Sequence, residues 1–319
     1  METVIPIADL QSIYSVAEVD RALGDGVAQR NEGLKSWYAR MRELGGSRYI
    51  IKPSTTAAVD DLCERSPNFV KVIDDLRKYL ALAVAGNEAV QFTPMLLLGE
   101  PGLGKTYFAK RLAQALGTGF EFVSMSSLTA GWVLTGASAQ WHNARPGKVA
   151  QTLIEREYAN PVVVLDEVDK AGGDARYDPM GALYALLERD TAAHFKDEFI
   201  DVLMDASHIL WVATANDEST IPEPILNRMN VYAIERPDAD GARTIALAVY
   251  REILDAHRWP FPHEPSESVL ERLSALPPRD MRKLLLDAFG TARLANRDHL
   301  VPEDIDAKKL CGRKARVGF

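Results

Sequence analysis

The sequence predicts an α/β fold: a parallel five-stranded sheet between helices, followed by a small helical domain. Three observations carry this. Short, continuous apolar runs recur between residues 61 and 237, among them MLLLG (95–99), VVVLDEV (162–168) and ILWVATA (209–215). Strands buried on both faces of a sheet read that way, because neither face can carry polar side chains. Amphipathic stretches separate the runs, which implies parallel strands joined by crossover helices. After Pro237 the strand signals stop and only helical patterns follow.

Taken in order, residues 1–60 hold helical patches such as NEGLKSWYARMREL, broken by Gly24, Gly26, Gly45, Gly46 and Pro53. Their role is open. Residues 61–237 add FEFVSM (120–125) and VYAIE (231–235) to the strands above and form a nucleotide-binding type of α/β domain. Residues 238–310 read as a helical lid: DADGARTIALAVYREILDAHRW, PSESVLERLSAL, RDMRKLLLDAFGTARLAN and a short PEDIDAKKL. Pro260, Pro262, Pro277, Pro278 and Pro302 punctuate these helices. The tail, 311–319, is basic; Lys308, Lys309, Arg313, Lys314 and Arg316 read as solvated charge or as a dock for an acidic partner.

Composition bounds the function. The chain has 319 residues, 47% apolar and 26% charged, as an ordinary soluble protein does. A net charge of −8 counts against a nucleic-acid partner. Its two cysteines, Cys63 and Cys311, offer neither a disulfide framework nor metal-ligand spacing. No apolar run approaches a membrane span. The start, METVIPIADLQSIYSVAEVD, lacks the basic n-region of a signal peptide. The expected location is the cytoplasm.

The chemistry lies in two motifs. GEPGLGKT, Gly99 to Thr106, is G-x-x-x-x-G-K-T between an apolar strand and the helical pattern KTYFAKRLAQAL. That is the setting of a phosphate-binding loop. Gly99, Gly102 and Gly104 let backbone N–H groups turn inward around phosphate oxygens, and the helix N-terminus adds its positive end. Lys105 would reach the β- and γ-phosphates, and Thr106 would put its hydroxyl on Mg²⁺. Glu100, Pro101, Gly102, Leu103, Gly104, Lys105, Thr106 and Tyr107 are the candidate nucleotide contacts. In the second motif, PVVVLDEVDK, Asp166 and Glu167 end a buried strand at the sheet edge where ligands bind in this architecture. Asp166 would hold Mg²⁺ through water, and Glu167 would activate the attacking water. Two adjacent carboxylates at an apolar strand tip call for a nearby cation; the plainer reading is that both cap the next helix.

These residues carry a resemblance. GEPGLGKT, DEVDK and the trailing helices resemble an AAA+ ATPase. ARPGKVAQTLI (144–154), NPVVVLDEVDK (160–170), DPMGALYALLE (178–188) and ILWVATANDESTIPEPILNRM (209–229) are similar to the ATPase module of the Lon protease family. The resemblance implies further roles. Asn216 matches the sensor-1 residue that positions the attacking water. Arg228 matches the arginine finger, given to the γ-phosphate of a neighbouring subunit. Arg279 fits sensor 2, with Arg282 in reserve. Trp141, in SAQWHNARPGK, stands at the aromatic position that grips the substrate chain in the central channel. His142 and Asn143 depart from the family's aliphatic–glycine pair there. No serine sits in the context of the family's peptidase nucleophile, so peptidase activity is not expected.

The resulting expectation is an ATPase that uses ATP and Mg²⁺ in a ring of identical subunits, a hexamer, to remodel or thread a protein. The alternatives are a nucleic-acid motor or loader of the same superfamily and a slow ATP-dependent assembly switch.

Overall fold

The computed structural model describes residues 7–127, 131–141, 143–172 and 178–306. Its strands are β1 (Ile7–Ser12), β2 (Ser47–Lys52), β3 (Met95–Leu98), β4 (Phe120–Ser124), β5 (Val162–Asp166), β6 (Phe195–Lys196), β7 (Leu203–Met204), β8 (Leu210–Ala215) and β9 (Asn230–Ala233). Five of them form one parallel sheet in the order β4-β5-β8-β3-β9, with Leu96 level with Ala213 and Val163 level with Trp211. The expected fold class is therefore present. The central strand β8 is buried along its whole length. The edge strands leave Phe122 and Val231 exposed, because an edge strand has a neighbour on one side only.

The chain forms two compact units: residues 1–59, 74–99 and 106–233, and residues 60–73, 100–105 and 234–319. The sequence set residues 1–60 apart as a helical segment. Instead, β1 pairs antiparallel with β2, and the helices Val16–Gly24 and Glu32–Leu44 lie between them in the chain. Val19, Leu34, Tyr38 and Met41 are buried in the same core as the sheet residues Leu96, Val163 and Trp211. Asn160, 1% exposed, ties β2 down: it accepts from Ile51 N at 3.0 Å and donates to Ile51 O at 2.9 Å. IADLQS and SRYIIK have too little apolar content to read as strands, and the tie comes from a residue more than a hundred positions away.

In the second unit, the helices Ala239–Ala256, Glu267–Ser274 and Pro278–Leu294 pack around Tyr250, Leu273, Leu285 and Phe289. Asp238 caps the first by accepting from Gly241 N at 2.8 Å. Pro278 opens the last, where a missing N–H costs nothing. All three helices fall within residues 238–310. The unit also takes in 61–73, 100–105 and 234–237, which the sequence had given to the α/β domain. Of PEDIDAKKL, residues 302–306 fall among the described residues, with a short 3-10 turn at Pro302–Asp304; the basic tail lies outside them.

Candidate active site

In the first unit, the tip of β5 is organised by hydroxyl groups. Thr106 Oγ1 donates to Asp166 Oδ1 at 2.7 Å, and Thr214 Oγ1 donates to the same oxygen at 2.8 Å. Glu167 N in turn donates to Thr214 Oγ1 at 3.0 Å. Thr214 is 1% exposed on β8 and bonds both members of the acidic pair. Sequence reasoning passed over it, though one signal existed: a threonine in the otherwise apolar ILWVATA. The plain capping reading of the acids fails for Asp166, whose oxygen faces two hydroxyls from other elements.

Glu167 has φ +56 and ψ +52, a left-handed conformation that costs a non-glycine residue on the order of 1–3 kcal/mol. Its Oε1 lies 2.9 Å from Lys170 Nζ, and this bond holds the lysine above its usual pKa. The side chain thus lies along the 3-10 turn Val168–Lys170 that follows it, held there by Lys170.

The glycine-rich loop runs from the end of β3. Gly99 N donates to Ala215 O at 3.1 Å, next to Asn216. Gly102 and Gly104 both have φ +89, which side chains rarely tolerate. In the second unit, Lys105 is 7% exposed and its Nζ donates to Glu100 O at 3.0 Å, so the ammonium is folded over the loop's own backbone. Asn68 Nδ2 supports the loop from below with a 3.3 Å bond to Leu103 O. A Cβ added at Gly102 would stand 3.8 Å from the Cβ of Arg279. Arg282 points elsewhere, with its Nη1 3.0 Å from Glu252 Oε1. Of the two arginines, Arg279 is the one beside the loop. Leu103 is buried, and Thr106 and Tyr107 begin the helix Lys105–Leu116.

The donor set suits the expected cofactor. Thr106 and Asp166 offer hydroxyl and carboxylate oxygens, which Mg²⁺ prefers. Among the described residues no cluster of three or more His, Cys, Asp or Glu is placed to hold a metal. A Mg²⁺ here would therefore rely on phosphate oxygens and water for the rest of its shell.

Arg228 follows the helix Glu223–Leu226 in the first unit. Its Nη2 lies 2.8 Å from Glu188 Oε1, its Nη1 donates to Pro224 O at 2.7 Å, and its guanidinium sits 5.8 Å from the Tyr184 ring centre. Nε is buried without a hydrogen bond among the described residues. Trp141 is 54% exposed and meets Trp132 edge to face, ring centres 5.7 Å apart. Both line a cavity of about 520 Å³ with Leu186, Phe195 and Glu198. His142 lies outside the described residues.

The family described as "ATPase family associated with various cellular activities (AAA)" matches residues 95–235. Residues 95–235 are an AAA ATPase domain. The AAA domain is similar to that of Lon proteases. Lon protease 2 of Sorangium cellulosum is 37% identical over 160 residues, 50% of this chain and 19% of that protein. Lon protease 1 of Thermus thermophilus is 32% identical over 231 residues, 72% of this chain and 28% of that protein. The chain thus spans well under half of these relatives' length. Among solved structures, a closed-state reconstruction of Hsp104 with ATPyS and FITC casein has a TM-score of 0.58 and 17% identity, covering 78% of this chain and 52% of that one. That likeness speaks for the fold. No described helix is long and apolar enough to cross a membrane.

Proposed function

We propose that the protein hydrolyses Mg-ATP within a ring of its own copies and uses the turnover to thread or remodel a protein. The observation that carries the reading is the Thr106–Asp166–Thr214 corner with Glu167 held by its own backbone. Bound Mg-ATP supplies the phosphoanhydride to be cleaved. Around it, Lys105 would leave Glu100 O to neutralise phosphate oxygens, Thr106 would put its hydroxyl on the metal, and Asp166 would hold the metal through water. Glu167 releases Lys170 to accept a proton from the attacking water, which Asn216 orients. Arg279 steadies the phosphates through its place beside Gly102. Arg228 is held by Glu188 in the single chain and acts on a neighbour's γ-phosphate, where an arginine stabilises transition-state charge. Trp141, with its half-exposed indole, grips the substrate chain. The ring is a hexamer, the cell compartment the cytoplasm, and nucleic acid is not a partner.

Isothermal titration and phosphate release test this together. Lys105→Ala should lose ATP binding, because no other loop side chain carries positive charge to the phosphates. Mixed Lys105→Ala and Arg228→Ala subunits should regain turnover, each supplying what the other lacks. Parental turnover in Lys105→Ala would overturn the loop assignment. Absence of recovery in subunits shown to mix would overturn the finger given in trans.

A further inference from the structure

The loop that carries Trp141 is fastened from two directions. Its base closes with a 3.3 Å bond from Ala137 N to Arg145 O. Beneath the base lies Asp197, fully buried and between β6 and β7 in the chain. Asp197 Oδ2 accepts from Gly147 N at 2.8 Å, and Oδ1 accepts from Phe199 N at 2.9 Å and Ile200 N at 3.0 Å. One carboxylate thus joins the loop's end to the 197–200 turn. Gly136, at the loop's other end, has φ +82 and passes so close that an added Cβ would lie 2.4 Å from Asp197 Oδ1. Any larger residue would push the carboxylate off its donors.

The second fastening comes from the N-terminal segment. Asn31 Nδ2 donates to Ala139 O at 2.9 Å, two residues before Trp141. Its Oδ1 accepts from Leu34 N at 3.1 Å and so caps the helix Glu32–Leu44. That helix is anchored in turn, because Tyr38 Oη donates to Ile200 O at 2.6 Å. Asn31 and Asp197 therefore hold the loop from supports that are bonded to each other.

We propose that the N-terminal segment is a brace for the Trp141 loop, with Asn31 and Asp197 as positioning residues. The brace gives residues 7–59 a role that the nucleotide chemistry does not. Its consequence for substrate handling rests on the proposed grip of Trp141; the brace itself does not.

The two bonds of Asn31 can be separated. Aspartate caps a helix as well as asparagine does, but it has no amide to donate to Ala139 O. Asn31→Asp should keep the fold and release the loop. Native-state chymotrypsin cleavage after Trp141, located by mass spectrometry, reads the release. The rate should rise about tenfold, the scale that one lost hydrogen bond allows in a local opening. The melting temperature should stay within about 2 °C of the parent. Asp197→Asn keeps the size but turns an amide toward Gly147 N–H, and should raise the rate further; if it does not fold, Asn31→Asp decides alone. Parental cleavage in Asn31→Asp would overturn the brace, and so would faster cleavage only in step with a lowered melting temperature. ATP turnover stimulated by a reduced, alkylated polypeptide adds a separate reading. Faster cleavage with unchanged stimulation would leave the brace standing and remove the grip.

Discussion

The Asp166 corner and the Trp141 loop are both fixed by a few hydrogen bonds, yet they are built in opposite ways. At the corner, side chains bond side chains: Thr106 and Thr214 both reach Asp166 Oδ1 from other elements of the same unit. At the loop, side chains bond backbone: Asn31 reaches Ala139 O, and Asp197 takes Gly147 N–H. A side-chain pair constrains residue type at both ends. A bond to backbone asks for a particular side chain at one end only, although packing holds Gly136 and Gly147 to glycine here, since an added Cβ would lie 2.4 Å from Asp197 Oδ1 and 2.2 Å from Leu134 O. The first arrangement suits chemistry that depends on particular groups. The second suits holding the path of a loop.

Four experiments sharpen that contrast, and the largest effect lies on the side-chain side. Arg228→Ala should bind ATP and turn over on the order of 10³-fold more slowly in steady-state assays, the low end for arginine fingers. A loss under about tenfold would leave Arg228 as the partner of Glu188 and Tyr184 alone.

The next concerns Asp197. Burial pushes its carboxyl up to about 6 from an ordinary 3.8, against the pull of three backbone N–H groups and with a small push from Glu198. A raised pKa means that the ionised form weakens the fold. The stability from this group is fully present below 3.8 and is lost as pH rises through about 6. The span is worth about 3 kcal/mol. Melts of parent and Asp197→Asn across that window should diverge with pH; parallel curves would contradict the assignment. Loop holding has the opposite sign, because a proton on Oδ2 displaces Gly147 N–H.

Thr214→Val removes two hydroxyl bonds at nearly constant volume. It should slow turnover about tenfold, roughly 1.4 kcal/mol of transition-state stabilisation, with binding retained. Unchanged turnover would show that Asp166 and Glu167 hold their places without it.

The smallest effect is on stability. Trp141→Ala should cost under about 1 kcal/mol, since the indole is 54% exposed, whereas a buried aromatic would cost ~3–5 kcal/mol. A thermal melt separates the two, and a drop of the larger size would place Trp141 in the core.

The same contrast explains what could be read in advance. The five sheet strands were legible because each is a short apolar run, and the glycine-rich loop and acidic pair because residue type and spacing together form a pattern that reads without knowing any partner. Thr214 was half-legible, as a polar residue on a buried strand. Arg279 could not be separated from Arg282 by spacing; the contact with Gly102 and the Arg282–Glu252 pair distinguish them. β1, β2, Asn31 and Asp197 were not legible at all. The partners that give them their place, Ala139 O for Asn31, Gly147 N for Asp197 and each other's strand for β1 and β2, lie far away in the chain and are backbone groups that carry no signature of residue type.

The central claim is that this corner hydrolyses ATP through Glu167, and Glu167→Gln tests it most directly. The exchange keeps the side chain's size and removes only the carboxylate that takes a proton. Binding of ATP and its hydrolysis should be measured on the same preparation. The account predicts ATP bound as tightly as by the parent and hydrolysis on the order of 10²–10⁴-fold slower, the usual contribution of a general base. Hydrolysis at the parental rate with binding intact would contradict it.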